Sequence, residues 1–460
     1  MLKHSRACGP ALALSLGVLC TPRSAGATGF SSARFGGEHG TPTSPNPTAL
    51  YYNPAAITGA DGVHLLADAV LLLRDTRYEH AKAPTDEPEP AGMEGANSDT
   101  AHLFNPTVLP MLGATFDVGD FAFGAAFYIP FGGGTMWDEN DRFAGNVQYP
   151  GAVGGSQRWH ALDGTMYMMY WTAGAAYEIP ETGLSIGATV SLIRSEIEAL
   201  NARTVPGNND MTIEGRSLID VGTWAAGFGI GAMYEAIDDT LWLGASYTSR
   251  PNVAGGHTLE GTLQNHFGSI DEYDVELHQD APDIIRFGLR FKPSPSTELR
   301  MFGDWSRWSA FEGQCVALAG DPCEVDDEGQ ATAEPAPLQY LARNWHDAVA
   351  LRVGGSIWPT PRWELFAGLG YDGNAVPDET LEPSLMDFED FSTTLGARVA
   401  LVDEHLHLEL AYTHFYNIPR DNAGKSTLAS AGESYYRAPD AGGRYAEVAG
   451  LINTTVEASF

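Results

Sequence analysis

The chain has 460 residues and a formal net charge of −33, from 59 acidic and 26 basic side chains. This acidic balance argues against nucleic acid as a partner, because phosphate backbones attract basic surfaces. The content of 43% hydrophobic and 10% aromatic residues is too high for an intrinsically disordered chain, so we expect a large folded unit.

The first residues predict export from the cytoplasm. Lys3 and Arg6 precede an apolar run from Ala11 to Cys20, and the small residues 25–27 offer a cleavage site. This is the layout of a secretory signal peptide over residues 1–27, with an uncleaved anchor as the alternative. The apolar run is too short to span a bilayer comfortably, and no later stretch is long and apolar enough for a transmembrane helix.

Residues 28–62 are rich in glycine, proline and asparagine and show neither helical nor strand periodicity. Their second half, NPTALYYNPAAITGADG (46–62), contains two Asn-Pro pairs. Proline lacks a backbone donor and biases the preceding residue away from helix. This segment is therefore either an ordered loop or a disordered tail.

From residue 63 onward, apolar side chains recur with the period of two that is typical of strands. Leu406, Leu408 and Leu410 alternate with polar or charged neighbours, and residues 450–460 alternate in the same way. Very short connections also alternate with long, acidic ones along the chain. Strict alternation of tight turns and long loops is typical of outer-membrane barrels rather than of soluble sandwiches.

The pattern predicts an all-β fold, a transmembrane antiparallel up-and-down β-barrel of about 14 strands over residues 63–460 with long acidic extracellular loops. A barrel of this width leaves a lumen unless a segment fills it, so residues 28–62 are expected to fold inside as an N-terminal hatch. Closure leaves no unpaired edge, so we expect a monomer. The predicted strands lie near 63–78, 104–117, 120–131, 164–179, 183–199, 216–235, 240–252, 282–292, 297–310, 345–358, 361–373, 390–402, 405–416 and 448–460.

Two cysteines follow the predicted signal peptide, Cys315 and Cys323, and both fall in one polar loop. In an oxidising compartment they are expected to form a disulfide, with two free thiols as the alternative. The long loops carry many carboxylates, which we interpret as a solvated outer surface facing lipid and lipopolysaccharide. Divalent cation binding is the alternative, but no spacing matches a calcium loop, so we predict neither a metal site nor a cofactor.

Several segments resemble, in order along the chain, the long-chain fatty acid transporter family of the outer membrane (FadL/TodX type). The resemblance implies passive uptake of hydrophobic molecules, either long-chain fatty acids or aromatic hydrocarbons, across the outer membrane of a Gram-negative bacterium. It also implies capture by outer loops, a pocket in the lumen and lateral release at a kink in the third strand. The segments are TGFSSARFGG (28–37), ALYYNPAAITG (49–59), FYIPFGGGTMWDENDRFAG (127–145), DWSRWSAFEG (304–313), WHDAVALRVGGSIW (345–358), ELFAGLGYDGNAVPDETLEP (364–383) and ELAYTHFY (409–416).

The resemblance also assigns roles to individual residues. Phe30 matches the hatch aromatic residue that reaches the pocket, and Asn53, Pro54 and Ala55 match a hatch motif with a structural role. A lateral opening would need unpaired backbone, which proline and glycine permit, although an ordinary strand end is the alternative. The residues predicted to form this kink are Pro130, Phe131, Gly132, Gly133 and Gly134.

A fatty acid carboxylate in an apolar pocket needs a cation, and arginine can pair with it through two hydrogen bonds. The alternation of the strands makes Arg286, Arg300 and Arg352 lumen-facing candidates for ligand binding, and places Arg194 on the same side. These arginines could instead pair with carboxylates on neighbouring strands, because barrel interiors are polar.

Three other functions compete with transport of hydrophobic molecules. An enzyme is not expected, since His160, His346 and His414 are scattered and no serine motif accompanies them. A general porin would have a water-filled lumen, which a hatch argues against. A barrel scaffold for secretion or surface attachment stays open, and a closed wall at residues 129–134 would favour it.

Overall fold

The computed structural model describes residues 33–253, 255–326, 330–402, 405–430 and 438–460. The predicted signal peptide and Phe30 lie outside the described residues. Within the described ranges, no helix is long and apolar enough to cross a membrane. The helical elements are short: α1 (Ala49–Tyr52) and the 3-10 helices Gly37–His39, Pro54–Gly59, Asp141–Phe143, Pro150–Gly154, Ser156–Trp159, Met211–Ile213, Trp308–Ala310 and Leu428–Ser430.

Strands make up most of the described chain and are numbered here in chain order. They are β1 (Val63–His80), β2 (Thr100–Val118), β3 (Phe121–Gly134), β4 (Asp163–Ile179), β5 (Leu184–Arg203), β6 (Gly215–Ile237), β7 (Leu241–Thr248), β8 (Thr258–His266), β9 (Ile270–His278), β10 (Ile284–Ser294), β11 (Thr297–Ser306), β12 (Gly313–Leu318), β13 (Gln339–Ala342), β14 (Ala348–Thr360), β15 (Trp363–Asp372), β16 (Asp390–Val402), β17 (Leu406–Asn417), β18 (Arg420–Asp421) and β19 (Gly443–Ser459).

Fourteen of these strands close into one antiparallel barrel, which confirms the predicted fold class and strand number. Each barrel strand pairs with its neighbours in chain order, with β7 followed by β10, β11 by β14, and β17 by β19. The ring closes where β1 pairs with β19 along its whole length, from His64 opposite Ser459 to His80 opposite Gly443. Closure satisfies the backbone groups that an open sheet edge would expose to lipid.

The two faces of the barrel follow the period of two read from the sequence. On β1, Leu66, Asp68 and Val70 are buried in the lumen, whereas Leu65 is 45% exposed on the outside. Large apolar side chains are similarly exposed on the outer face of other strands, as at Leu395. An apolar outer band of this kind suits lipid, and a polar interior suits a channel.

The long outer connections contain strands that the sequence did not predict. The hairpin of β8 and β9 extends the sheet beyond the barrel, because β8 pairs with the outer part of β6 and β12 pairs with β9. One face of this extracellular sheet is apolar and buried, through residues such as Leu259, Leu277 and Val316. Cys315, on β12, is joined to Cys323 by a disulfide.

Residues 33–62 lie inside the barrel, before β1. Phe35, Leu50 and Tyr52 are almost fully buried within this segment. The barrel wall makes room for it with glycines: a Cβ added at Gly187 on β5 would lie 2.5 Å from the backbone nitrogen of Ala55. Glycine here permits close approach of two backbones, which is one of its positional uses in strands.

Candidate functional site

The lumen contains a cavity of about 300 Å³. One side is formed by Arg34, in the segment inside the barrel, together with Arg352 and Asp372 of the barrel wall. The rest of the lining combines apolar side chains with further charged ones. The apolar residues include Leu72, Met166, Leu263, Leu277, Val316 and Phe388, and the charged ones include Arg74, Arg203, Glu382 and Glu447. A cavity that combines apolar surface with convergent polar groups is typical of a small-molecule site.

The wall of the barrel is broken beside this cavity, at the end of β3. The ladder between β2 and β3 ends at Met111 opposite Tyr128, although residues 100–110 of β2 remain paired with β1. Within the described chain, residues 129–134 therefore have no ladder partner on β2. Bonding is reduced there to single contacts, as between Asn105 Nδ2 and the Gly134 carbonyl at 2.5 Å.

The local sequence explains the break. The register between β3 and β4 shifts between Tyr128 and Phe131, which leaves a bulge around Pro130. Proline cannot donate to the ladder, and bulges bend the strand that carries them. Beyond the bulge, Gly132, Gly133 and Gly134 line the cavity, and a Cβ added at Gly133 would have no atom within 4 Å.

An aromatic cluster borders the break. Phe131 packs edge-on against Trp308, with ring centroids 6.1 Å apart, and Trp345 lies 4.9 Å from both Trp308 and Phe311. A second, smaller cavity of about 30 Å³ lies among these rings. The surroundings of the broken wall are therefore apolar on the lumen side.

Of the three arginines predicted to bind ligand, Arg352 lines the cavity. Its Nη2 lies 3.9 Å from the Asp372 carboxylate, and its guanidinium lies 5.1 Å from the Phe302 ring centroid. Its Nε has no hydrogen-bond partner among the described residues. Asp304 and Glu38 also interact electrostatically with this buried charge, so carboxylates of the protein already offset it in part.

The other two predicted arginines lie away from the cavity. Arg286 donates to the Tyr51 carbonyl at 3.2 Å and to Thr248 at 3.0 Å, and it stacks over the Tyr51 ring. Arg300 pairs with Glu298 at 2.9 Å and also donates to Ser356. Arg286 therefore joins the barrel wall to the segment inside the barrel, and Arg300 joins two neighbouring barrel strands.

Arg194 faces the other way from the prediction. It lies on the outer face of β5, the same face as the exposed Leu192 and Glu196, and packs over Trp224 with 5.8 Å to the ring centroid. The lumen-facing prediction for Arg194 is wrong, because the alternation of β5 continues into its outer part, where a charged side chain no longer meets lipid.

Two further charged cavity residues, which the sequence does not predict, lie outside the barrel strands. Arg34, in the segment inside the barrel, pairs with Asp372 at 3.0 Å and bonds Ser392 at 2.9 Å. Arg343, between β13 and β14, pairs with Glu382 at 2.9 Å. Nothing in the strand periodicity could have found them, since neither lies in a barrel strand.

His160 also lines the cavity, 3.5 Å from Glu382. Burial lowers the pKa of His160 to about 4, so the imidazole is neutral at physiological pH despite this neighbour. No group of three or more His, Cys, Asp or Glu side chains in the described part of the chain is arranged to hold a metal ion.

The motif Asn53, Pro54 and Ala55 fixes the buried segment to itself and to the barrel. Asn53 is fully buried; its Nδ2 donates to the carbonyls of Pro42 at 2.8 Å and Ala232 at 3.0 Å. Its Oδ1 accepts from the Ala55 nitrogen at 3.2 Å and so caps the 3-10 helix Pro54–Gly59. Proline suits the first helical position, where its missing N–H is not needed.

We predict that Asn53→Ala loosens this segment. The substitution removes three hydrogen bonds of a buried side chain, each of which contributes about 0.5–1.5 kcal/mol. This loss of free energy shifts the equilibrium towards an open segment. Limited proteolysis should therefore cleave residues 33–62 roughly tenfold faster or more than in the wild type. Asp61→Asn, at an exposed position of the same segment, is the matched control. Equal cleavage rates in the two variants would contradict the anchoring role.

Comparison with known proteins gives a consistent result. Residues 23–438 match the family described as outer membrane protein transport protein (OMPP1/FadL/TodX). The chain is 22% identical over 396 residues to the outer membrane protein NMB0088 of Neisseria meningitidis serogroup B, covering 80% of each chain.

Solved structures share the fold at low sequence identity. A Pseudomonas aeruginosa FadL homologue superposes with a TM-score of 0.73 at 16% identity, covering 95% of this chain and 99% of that one. The toluene transporter TbuX of Ralstonia pickettii gives 0.60 at 14% identity, covering 94% and 97%. The toluene transporter TodX of P. putida gives 0.61 at 14% identity, covering 95% and 99%.

Proposed function

The chain belongs to the OMPP1/FadL/TodX family of outer membrane transport proteins, and from this premise we propose that it takes up long-chain fatty acids by lateral release through the barrel wall. Members of the family are outer-membrane channels for hydrophobic compounds, and this chain is such a barrel and not an enzyme. The proposal concerns the ligand and the route.

One observation carries the route: the cavity reaches the glycines at the broken wall. A hydrophobic molecule that leaves the cavity beside Gly132–Gly134 meets unpaired backbone instead of a continuous ladder. It would then pass from the lumen into the lipid layer without crossing water. Residues 28–62 act as a hatch in this proposal, since their described part fills the lumen on the other side.

The ligand class rests on Arg352. A carboxylate at this position would meet a buried guanidinium whose Nη2 lies 3.9 Å from Asp372 and whose Nε has no hydrogen-bond partner among the described residues, while the acyl chain lies along the apolar part of the lining. Hydrogen bonds to charged groups are stronger than neutral ones, so one such contact orients an amphiphilic ligand.

A neutral hydrocarbon is the second candidate. Of the four other arginines that line the cavity, three are paired with carboxylates: Arg34 with Asp372, Arg74 with Glu447 and Arg343 with Glu382. Such a lining does not require a charged ligand, and TbuX and TodX are described as toluene transporters.

The porin and scaffold functions remain alternatives with less support. Residues 33–62 occupy the lumen that a general porin keeps open, and the break in the wall has no use in a scaffold. We further propose that residues 1–27 are a signal peptide, that the barrel works as a monomer, and that its acidic loops face lipopolysaccharide.

Uptake by whole cells tests the proposal. In cells that lack their own fatty acid transporter, expression of this chain should raise uptake of labelled oleate several-fold over an empty vector, and labelled toluene should be measured in parallel. Uptake of toluene alone would favour the hydrocarbon candidate. If neither compound is taken up, although the barrel is inserted and shifts on heating in gels, the scaffold function is favoured.

A further inference from the structure

His39 lies between two buried carboxylates of the barrel wall. It ends the 3-10 helix Gly37–His39 inside the lumen, and its Nε2 lies 2.7 Å from Glu364 on β15. Its Nδ1 lies 2.8 Å from Glu409 on β17. The side chain of His39 is 12% exposed, that of Glu364 is 4% exposed and that of Glu409 is 5% exposed. One imidazole ring therefore connects the hatch to two barrel strands that are not neighbours.

The geometry favours a positive charge on the ring. A neutral imidazole has one N–H donor and one lone pair, so with Nε2 donating to Glu364 it would direct the Nδ1 lone pair at Glu409. Only the imidazolium presents an N–H on both sides. Nδ1 makes no hydrogen bond in the described chain, so its contact with Glu409 is an ion pair that depends on the proton held by His39.

Other charged groups surround this contact. The positive charge of Arg300 on β11 disfavours a positive charge on His39, although Arg300 is itself paired with Glu298. On β17, His407 interacts electrostatically with Glu364. Within the hatch, the carboxylate of Glu38 interacts electrostatically with Arg34 and Arg352. On β1, Asp68 accepts from the Gly36 nitrogen at 3.2 Å. When His39 loses its proton, Glu364 and Glu409 lose the cation that lies between them.

The direction of the pH dependence follows from this geometry. Burial alone would lower the pKa of His39, but Glu409 and Glu364 outweigh it and raise the pKa from 6.5 to about 9. The contact thus stabilises the seated hatch fully below about pH 6.5 and is lost as the pH rises through about 9.

We propose that His39 is a pH-sensitive latch, which helps to hold residues 33–44 of the hatch against β15 and β17 at neutral pH and loosens them under alkaline conditions, when contacts such as that of Arg34 with Asp372 still hold them in part. The opening is local, because the second half of the hatch is held by contacts that do not titrate in this range. These include the bond of Asn53 to the Ala232 carbonyl and the bond of Thr58 to Ser185. The latch does not depend on which ligand the channel carries; only its consequence for uptake rests on the proposed function.

Amide hydrogen exchange of the purified barrel in lipid nanodiscs tests the latch without any transport assay. Between about pH 7 and pH 9.5, the protection of residues 33–44 should fall on the order of tenfold after correction for intrinsic exchange rates. Protection of residues 49–59 should stay constant over the same range. An alkaline loss in both halves of the hatch would overturn the proposal, since it would report general loosening.

Three variants separate the latch from a structural effect. His39→Gln should show low protection of residues 33–44 at every pH, whereas His39→Lys keeps a cation and should retain protection up to about pH 9.5. The control is His64→Gln, which changes a histidine 3.7 Å from Glu457 on the barrel wall and should behave as the wild type. A His39→Gln variant that folds and keeps the wild-type pH response would overturn the proposal.

Discussion

Replacing Gly133 by leucine is expected to reduce oleate uptake by roughly tenfold or more, because the side chain fills the break in the barrel wall. A ligand leaving the cavity must displace that side chain, and crowding of this kind costs roughly 1–3 kcal/mol. Each 1.4 kcal/mol corresponds to about tenfold in rate. The measurement is the initial rate of labelled oleate uptake at equal amounts of inserted barrel.

The choice of position makes this experiment interpretable. A Cβ at Gly133 meets no atom within 4 Å, whereas a Cβ at Gly132 would lie 2.7 Å from the Tyr167 ring and disturb the fold. Gly256, in an outer connection, also has open space around it, so Gly256→Leu is the matched control. Unchanged uptake by a folded Gly133→Leu variant would mean that release occurs elsewhere and that residues 132–134 are an ordinary strand end.

Replacing Arg352 by glutamine is expected to separate acids from hydrocarbons. A hydrogen bond to a charged group is worth about 1.5–3 kcal/mol, so oleate should bind roughly 10- to 100-fold more weakly. Toluene has no carboxylate, and its binding should change little. The measurement is displacement of a fluorescent fatty acid from the purified barrel, by oleate and by toluene.

The control for this experiment is Arg194→Gln, which removes an arginine from the outer face of β5. It is paired with Glu196 at 3.0 Å and does not line the cavity. Equal weakening of oleate and toluene binding by Arg352→Gln would point to a structural role for Arg352. Unaltered oleate binding would favour a neutral ligand as the natural cargo.

The barrel strands could be predicted from sequence because lipid imposes a strict pattern on them. Every residue that faces lipid must be apolar and every second residue faces it, so Leu406, Leu408 and Leu410 mark a strand without any structure. The strands of the extracellular sheet carry no such mark. On β9, Asp271, Glu272 and Asp274 face solvent, so the sequence predicts a loop there.

The candidate site was only partly predictable, since it is assembled from distant segments. Proline and glycines at residues 130–134 indicated the break, because their backbone properties are local. The pairing of Arg34 with Asp372 joins residues 338 positions apart and depends on the path of the hatch through the lumen. No periodicity carries that information. The same path decides that Arg286 contacts the hatch while Arg352 faces the cavity.

The seam between β1 and β19 has a consequence for how the protein is assembled. Its paired residues, such as His64 and Ser459, are separated in sequence by nearly the whole described barrel. Pairing residues so far apart in sequence raises the contact order, so we expect this closure to be a slow step of folding. The hatch bonds to this seam: Asn453 donates to the Arg34 carbonyl, and Asp68 bonds both Gly36 and Thr455. We therefore expect residues 33–62 to be enclosed in the lumen as this seam closes.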